Sequence, residues 1–189
     1  MFLIKNAGNV PSSNRNRTSL FLRQIVVEKE KMQENTIKGT LTELQCQKDF
    51  IQRNILVSQP IVQDSRYDFI IDLEGKLYKI QCKSSSLSAD EKFISLKTQS
   101  TNIRTMKSTY YTKDEIDFFY TCHQGVSYLI PVENAGKGET RLRFSSNQPN
   151  NPNIRWAKNY EIDLMLQKIK EEVNNKGVIE TAAIRVRVP

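Results

Sequence analysis

Residues 66–83, reading RYDFIIDLEGKLYKIQCK, constrain this chain more than any other stretch. Two alternating runs flank Glu74-Gly75, and an acidic residue followed by glycine between such runs is the signal of a two-residue hairpin turn. With 74 and 75 in the turn, Leu73 pairs with Lys76, and the same register sets Asp68 opposite Gln81. Side chains alternate with period two along a strand, so Lys83 shares the face of Asp68 and Gln81. Phe69, Ile71, Leu73, Tyr78, Ile80 and Cys82 take the other. One face is core, and the other gathers a carboxylate, an amide and an ammonium.

The flanking sequence predicts how that hairpin is housed. Leu41, Leu44, Phe50 and Ile51 recur at near-helical spacing behind Thr36 and Thr40, either of which can cap a helix, and Glu43 lies beside the stripe. Residues 56–62, interrupted by Pro60, read as an edge strand. Residues 92–98 form a further strand, and 118–122 with 126–132 a second hairpin about His123-Gln124-Gly125. Residues 102–117 are polar and mixed, 139–144 alternate, and 145–153 form an Asn-rich and Pro-rich loop. Ile162, Met165, Ile169 and Val173 mark a helix over 160–173, and 179–188 read as a last strand. The order of elements predicts an α+β domain, a mixed central β-sheet flanked by helices.

At 189 residues the chain suits one globular domain with an appended arm. Residues 1–31 carry six Lys and Arg against two acids, so +4 of the net +7 sits there and about +3 is left for residues 32–189. We therefore expect a loosely ordered basic arm over 1–31, a domain over 32–189, and no argument for nucleic-acid binding from bulk charge alone. No run approaches the ~18 apolar residues of a membrane span. Asn6, Gly8 and Asn9 interrupt the apolar start, which predicts no secretory signal. Cys46, Cys82 and Cys122 are isolated and odd in number, as expected of a reducing setting, cytoplasm or organellar matrix. With neither GxxxxGK[ST] nor GxGxxG, and with His123 as the one histidine, phosphate-loop, dinucleotide and His-based zinc or triad chemistry is disfavoured.

The polar face of the hairpin suits metal-assisted phosphodiester cleavage. A carboxylate with a neighbouring backbone carbonyl can hold a hard cation such as Mg²⁺, and a lysine can neutralise the charge developing on the phosphate. Glu43 can add a carboxylate if its helix packs against the hairpin. The same residues would also make a solvated sheet face with one weak ion pair. Arg104 and Lys107, ahead of Tyr110 and Tyr111, are candidate DNA contacts. So are Arg141, Arg143, Arg155 and Lys158, which flank the Asn-rich loop.

Taken together, Lys38-Gly39-Thr40-Leu41-Thr42-Glu43, Tyr67-Asp68-Phe69-Ile70-Ile71-Asp72 and Leu77-Tyr78-Lys79-Ile80-Gln81-Cys82-Lys83-Ser84 resemble the PD-(D/E)XK nuclease superfamily. Within it the likeness is to small endonucleases associated with group I introns and to archaeal-type Holliday junction resolvases, and it covers residues 36–162. The resemblance implies a restriction-endonuclease-like core. In its active-site pattern Glu43 is the helix glutamate, Asp68 the metal-binding aspartate and Lys83 the catalytic lysine. Gln81 departs from the pattern, standing where most members have Asp or Glu; its amide oxygen can still coordinate, without adding negative charge. The Cys82 carbonyl oxygen is a further candidate ligand. The implied activity is Mg²⁺-dependent (or Mn²⁺-dependent), site-specific cleavage of double-stranded DNA, of the intron-homing kind. A structure-selective Holliday junction resolvase and a catalytically silent DNA-binding module are the alternatives. Because one such site cuts one strand, the implied assembly is a homo-oligomer, dimer or tetramer.

Overall fold

Glu74 and Gly75 have φ of 54° and 76° in the computed structural model, the left-handed pair that defines a type I′ turn. That turn fixes the register of the strands beside it. The structure describes residues 12–62, 65–101 and 105–186. The chain divides into two compact units, residues 1–38 and 39–189. Helix α1 (Ser12–Ile51) supplies the described part of the first unit, and everything discussed below lies in the second.

After α1 come β1 (Leu56–Ser58), β2 (Phe69–Leu73) and β3 (Lys76–Cys82). Next are β4 (Ser85–Leu87), β5 (Phe93–Thr101) and β6 (Ser108–Tyr110), then β7 (Phe118–His123), β8 (Val126–Pro131) and β9 (Gly138–Arg143). Short 3-10 turns at Val132–Asn134 and Ala157–Tyr160 precede helix α2 (Ile162–Val186). The main sheet has the order β1-β2-β3-β7-β8, with β3 and β7 parallel and the other neighbours antiparallel. The fold is therefore α+β with a mixed sheet, as expected. A second, antiparallel sheet is built on β5, which pairs with β4, β6 and β9.

The hairpin forms as read: Leu73 pairs with Lys76 and Phe69 with Ile80. Phe69, Ile71, Leu73, Tyr78, Ile80 and Cys82 are all buried in one apolar cluster with Cys46 and Phe50 of α1 and Ile162, Met165, Leu166 and Ile169 of α2. A large apolar side chain buried in this way contributes about 1.5–3 kcal/mol. The second cluster fills the opposite side of the main sheet, where Phe119, Tyr128 and Ile130 meet Ile94, Leu96 and Leu142 of the second sheet.

Three expectations are corrected. Leu41, Leu44 and Ile51 are more than half exposed, and the buried face of α1 carries Thr42, Cys46, Asp49 and Phe50 instead. The reason is a polar contact that no apolar pattern announces. The buried hydroxyl of Tyr120 donates to Asp49 Oδ2 at 2.6 Å, so the helix turns its carboxylate inward. Of the strand expected over 179–188, residues 179–186 are instead the continuation of α2 to Val186, since extending an existing helix through Thr181-Ala182-Ala183 needs no new nucleus, and 187–188 lie outside the described residues. Finally, the polar stretch 102–117 holds a short strand, β6, which pairs with the end of β5. No helix among the described residues is long and apolar enough to cross a membrane.

Candidate active site

Asp68 immediately precedes β2, one residue beyond the last ladder pair Phe69–Ile80, and its backbone N–H donates to the Ile80 carbonyl at 2.9 Å, which holds it against the end of β3. Its Oδ2 accepts the Cys82 backbone N–H at 2.7 Å and the Gln81 Nε2 amide at 2.6 Å. The same Gln81 amide donates to the Cys82 carbonyl oxygen at 3.3 Å. Gln81 is only 7% exposed, so this arrangement is held by packing as well as by hydrogen bonds. Burial pushes the Asp68 carboxyl above its ordinary value, against the opposing pull of the Cys82 N–H, the Lys83 ammonium and the Gln81 amide.

Glu43 reaches the site from α1. Burial raises its carboxyl, the charge of Asp68 raises it further, and Lys83 lowers it, so all three groups lie within one another's fields. Helix and hairpin are locked in this relation through Tyr120. Its hydroxyl binds Asp49 on α1, while its carbonyl accepts the Lys83 backbone N–H at 2.9 Å. The Cys82 thiol points away from the site into the core, where burial and a hydrogen bond with Cys46 push it well up. Only the carbonyl of Cys82 belongs to the polar cluster.

Lys83 is held by a tyrosine. Its Nζ donates to the Tyr111 hydroxyl at 3.1 Å and lies 5.1 Å from the ring centroid. Tyr111 packs edge-on against Phe119, and the Arg66 guanidinium covers its ring at 4.0 Å. Arg66 is fixed in turn by Glu115, at 2.9 and 3.3 Å, which holds that carboxyl below its usual range. Arg66 and Glu115 carried no signal in the sequence, because the pair is 49 residues apart and neither residue belongs to a motif.

Whether these groups suit a divalent cation can be judged from the donor set. Among the described residues no three His, Cys, Asp or Glu side chains cluster as metal ligands. What converges instead is a mixed oxygen set, Asp68 Oδ2 and the Cys82 carbonyl, both satisfied here by the electropositive end of one amide. Two hard oxygens around a donor fit Mg²⁺, with Gln81 able to offer its amide oxygen once turned about its last torsion.

The expected DNA contacts scatter more widely. Arg104 lies outside the described residues. Lys107 is exposed ahead of β6. Arg141 and Arg143 share the outer face of β9, each with its guanidinium 5.2 Å from the Phe93 ring. Arg155 Nε donates to the Asn134 carbonyl. Arg143 and Lys158 line one cavity of about 470 Å³ with Tyr128, Phe144 and Trp156.

A mixed sheet with an acid, an amide and a lysine at one hairpin, and a glutamate brought in from a helix, is the arrangement expected of a nuclease-type fold. The model of the PD-(D/E)XK endonuclease family matches residues 33–163, and the chain belongs to that family. It is thus a nuclease of a family whose members generally depend on a divalent metal. In structure it is similar to the bacterial homing endonuclease I-Ssp6803I, with a TM-score of 0.58 and 24% identity over 71% of this chain and 94% of that one. That likeness supports a restriction-endonuclease-like fold. A second solved structure, MepB, is 13% identical over 52% of this chain and 76% of that one, with a TM-score of 0.29. No curated protein sequence matches.

Proposed function

We propose that this chain is a Mg²⁺-dependent endonuclease, with Mn²⁺ as a substitute ion, that hydrolyses phosphodiester bonds of double-stranded DNA at a specific site in the manner of an intron-homing enzyme. The observation that carries this reading is the convergence of Asp68 Oδ2, the Gln81 amide and the Cys82 carbonyl, with Lys83 on the next residue and Glu43 in their field. Asp68, the Cys82 carbonyl and the turned amide of Gln81 would hold the ion, which when bound supplies a Lewis acid for the phosphate and a more acidic water. The chain's own contribution is electrostatic and positional. Lys83, oriented by Tyr111, offsets the negative charge that grows on the phosphoryl oxygens as water adds to phosphorus and the phosphorus–oxygen bond to the leaving group breaks. Glu43, in the field of Asp68 and Lys83, would accept a proton or orient water.

A site of this kind cuts one strand, so a double-strand break needs two, and we propose a homo-oligomer, dimer or tetramer, acting on a near-palindromic target. The exposed Leu41, Leu44 and Ile51 on one face of α1 support pairing through that helix. Duplex DNA contacts are assigned to Lys107, Arg141, Arg143, Arg155 and Lys158, together with Arg104. The cytoplasm or an organellar matrix remains the proposed setting.

The test is cleavage of supercoiled plasmid by the purified chain with Mg²⁺, beside Lys83→Ala. Linear product from the wild type alone is expected. Binding by both proteins with cleavage by neither would leave a silent DNA-binding module, which the neutral Gln81 makes the second reading. Preference for a four-way junction over duplex would turn the assignment to a resolvase.

A further inference from the structure

We propose that the outer face of the second sheet is the surface that reads base edges, lying in the major groove of duplex DNA; this rests on the nuclease reading above. β5 alternates strictly: Ile94, Leu96 and Thr98 are buried, whereas Phe93, Ser95, Lys97 and Gln99 point to the opposite, accessible side. On β9, Thr140 and Leu142 are buried while Glu139, Arg141 and Arg143 face outward. The register sets these residues in rows, Phe93 beside Arg143, Ser95 beside Arg141 and Lys97 beside Glu139. Ser86 of β4 extends the Ser95 row.

No aliphatic side chain stands on this face of β5 or β9. What stands there is the repertoire that discriminates base edges: arginine and lysine for guanine, glutamine for adenine, serine for either. Three cations against one acid make the face complementary to a polyanion. Arg141 and Arg143 are also partly prearranged, since both guanidiniums flank the Phe93 ring at 5.2 Å. Dimensions agree. The β5–β9 pair, flanked by the three-residue strands β4 and β6, is the two-stranded element that a major groove about 12 Å wide admits, and outward residues recur about every 6.8 Å along a strand, close to two base-pair steps of about 3.4 Å. The sheet is tied to the cleavage site, for β4 starts two residues after Lys83 and the buried side of β5 packs on Phe119, which pairs with Gln81. An RNA helix would not accept this ribbon, because its major groove is deep and narrow.

The experiment is selection from a randomised duplex DNA library in EDTA. The full chain is compared with Lys97→Ala, Gln99→Ala, Arg141→Ala and Arg143→Ala, with Lys168→Ala on α2 as control. Wild type and control are expected to enrich one consensus, and each sheet variant to lose about tenfold discrimination at its own one or two positions while keeping the rest. A wild type that enriches no sequence, sheet variants that return the full consensus, or sheet variants that weaken evenly on every sequence would each overturn the proposal. Melting curves check that the variants fold. Plasmid cleavage with Mg²⁺, run in parallel, separates the two readings. A consensus without cleavage sinks the nuclease reading and leaves this surface standing, whereas cleavage with an unaltered consensus in the sheet variants does the reverse.

Discussion

Gln81 and Gln99 are both glutamines on the polar alternation of a β-strand, yet the hairpin β2–β3 and the ribbon β5–β9 treat them oppositely. Gln81 is almost wholly buried, its amide spent on Asp68 and on the Cys82 carbonyl. Gln99 stands half-buried beside Gly138 on the outward side of β5. The hairpin's polar groups are thus saturated by one another and by Tyr111, at the cost of holding two carboxylates in a partly dry site. On the ribbon the corresponding contact is an exposed one, Arg141 Nε donating to Glu139 at 2.6 Å, a pair for which solvent or a polyanion can compete. The difference shows that pattern places a polar residue on a face, while the layer packed above that face decides whether it is fixed in a buried network or left near the surface.

That contrast can be broken most severely at Lys83. Lys83→Ala is expected to lower plasmid cleavage by on the order of 10²–10³-fold while DNA binding persists, whereas Lys97→Ala should leave unfolding within about 0.5 kcal/mol of wild type by urea titration. Comparable losses of binding in both variants would erase the distinction between the two regions.

Removing the buried amide should come next. Gln81→Ala strips the Asp68 carboxylate and the Cys82 carbonyl of a donor, with an expected cost of about 1–3 kcal/mol, while Gln99→Ala stays within about 0.5 kcal/mol. Equal midpoints in urea would show that burial of Gln81 does not matter energetically. Gln81→Glu sharpens the same point: it sets a second carboxylate against Asp68, so Mg²⁺ affinity by calorimetry should rise roughly tenfold and the metal-free protein should melt lower. A variant that melts higher without metal would contradict the seating of the amide between two oxygens.

The smallest effect concerns the clamp behind Tyr111. Glu115 is held below its usual range by Arg66, so its contribution is present above the unfolded value of about 4.3 and is lost as pH falls through the lower folded value. Wild type should therefore lose slightly more stability than Glu115→Gln on acidification below about pH 4. Parallel curves would remove the clamp from the description of the site.

Much of the site was legible beforehand because it is local. A two-residue turn and a period of two predict that Asp68, Gln81 and Lys83 share one face; the ladder keeps the expected register from Leu73–Lys76 to Phe69–Ile80, and just beyond it the Asp68 carboxylate accepts from the Gln81 amide. The second hairpin was legible for the same reason, with Gln124 and Gly125 in the left-handed region. Tyr111, Arg66 and Glu115 were not legible as a unit, since their contacts join segments far apart in the chain. The apolar spacing of α1 misled, because a leucine stripe at helical period cannot say which side of the helix the sheet will take.

The sequence by itself determined the turns, the strand register and the grouping of acid, amide and lysine, all of which follow from dihedral preference and alternation over fewer than 20 residues. Only the tertiary structure decided which face of α1 is buried, and with it the approach of Glu43 to the hairpin. The choice turned on a buried tyrosine hydroxyl that needed a partner, and Asp49, 71 residues away in the chain, met that need.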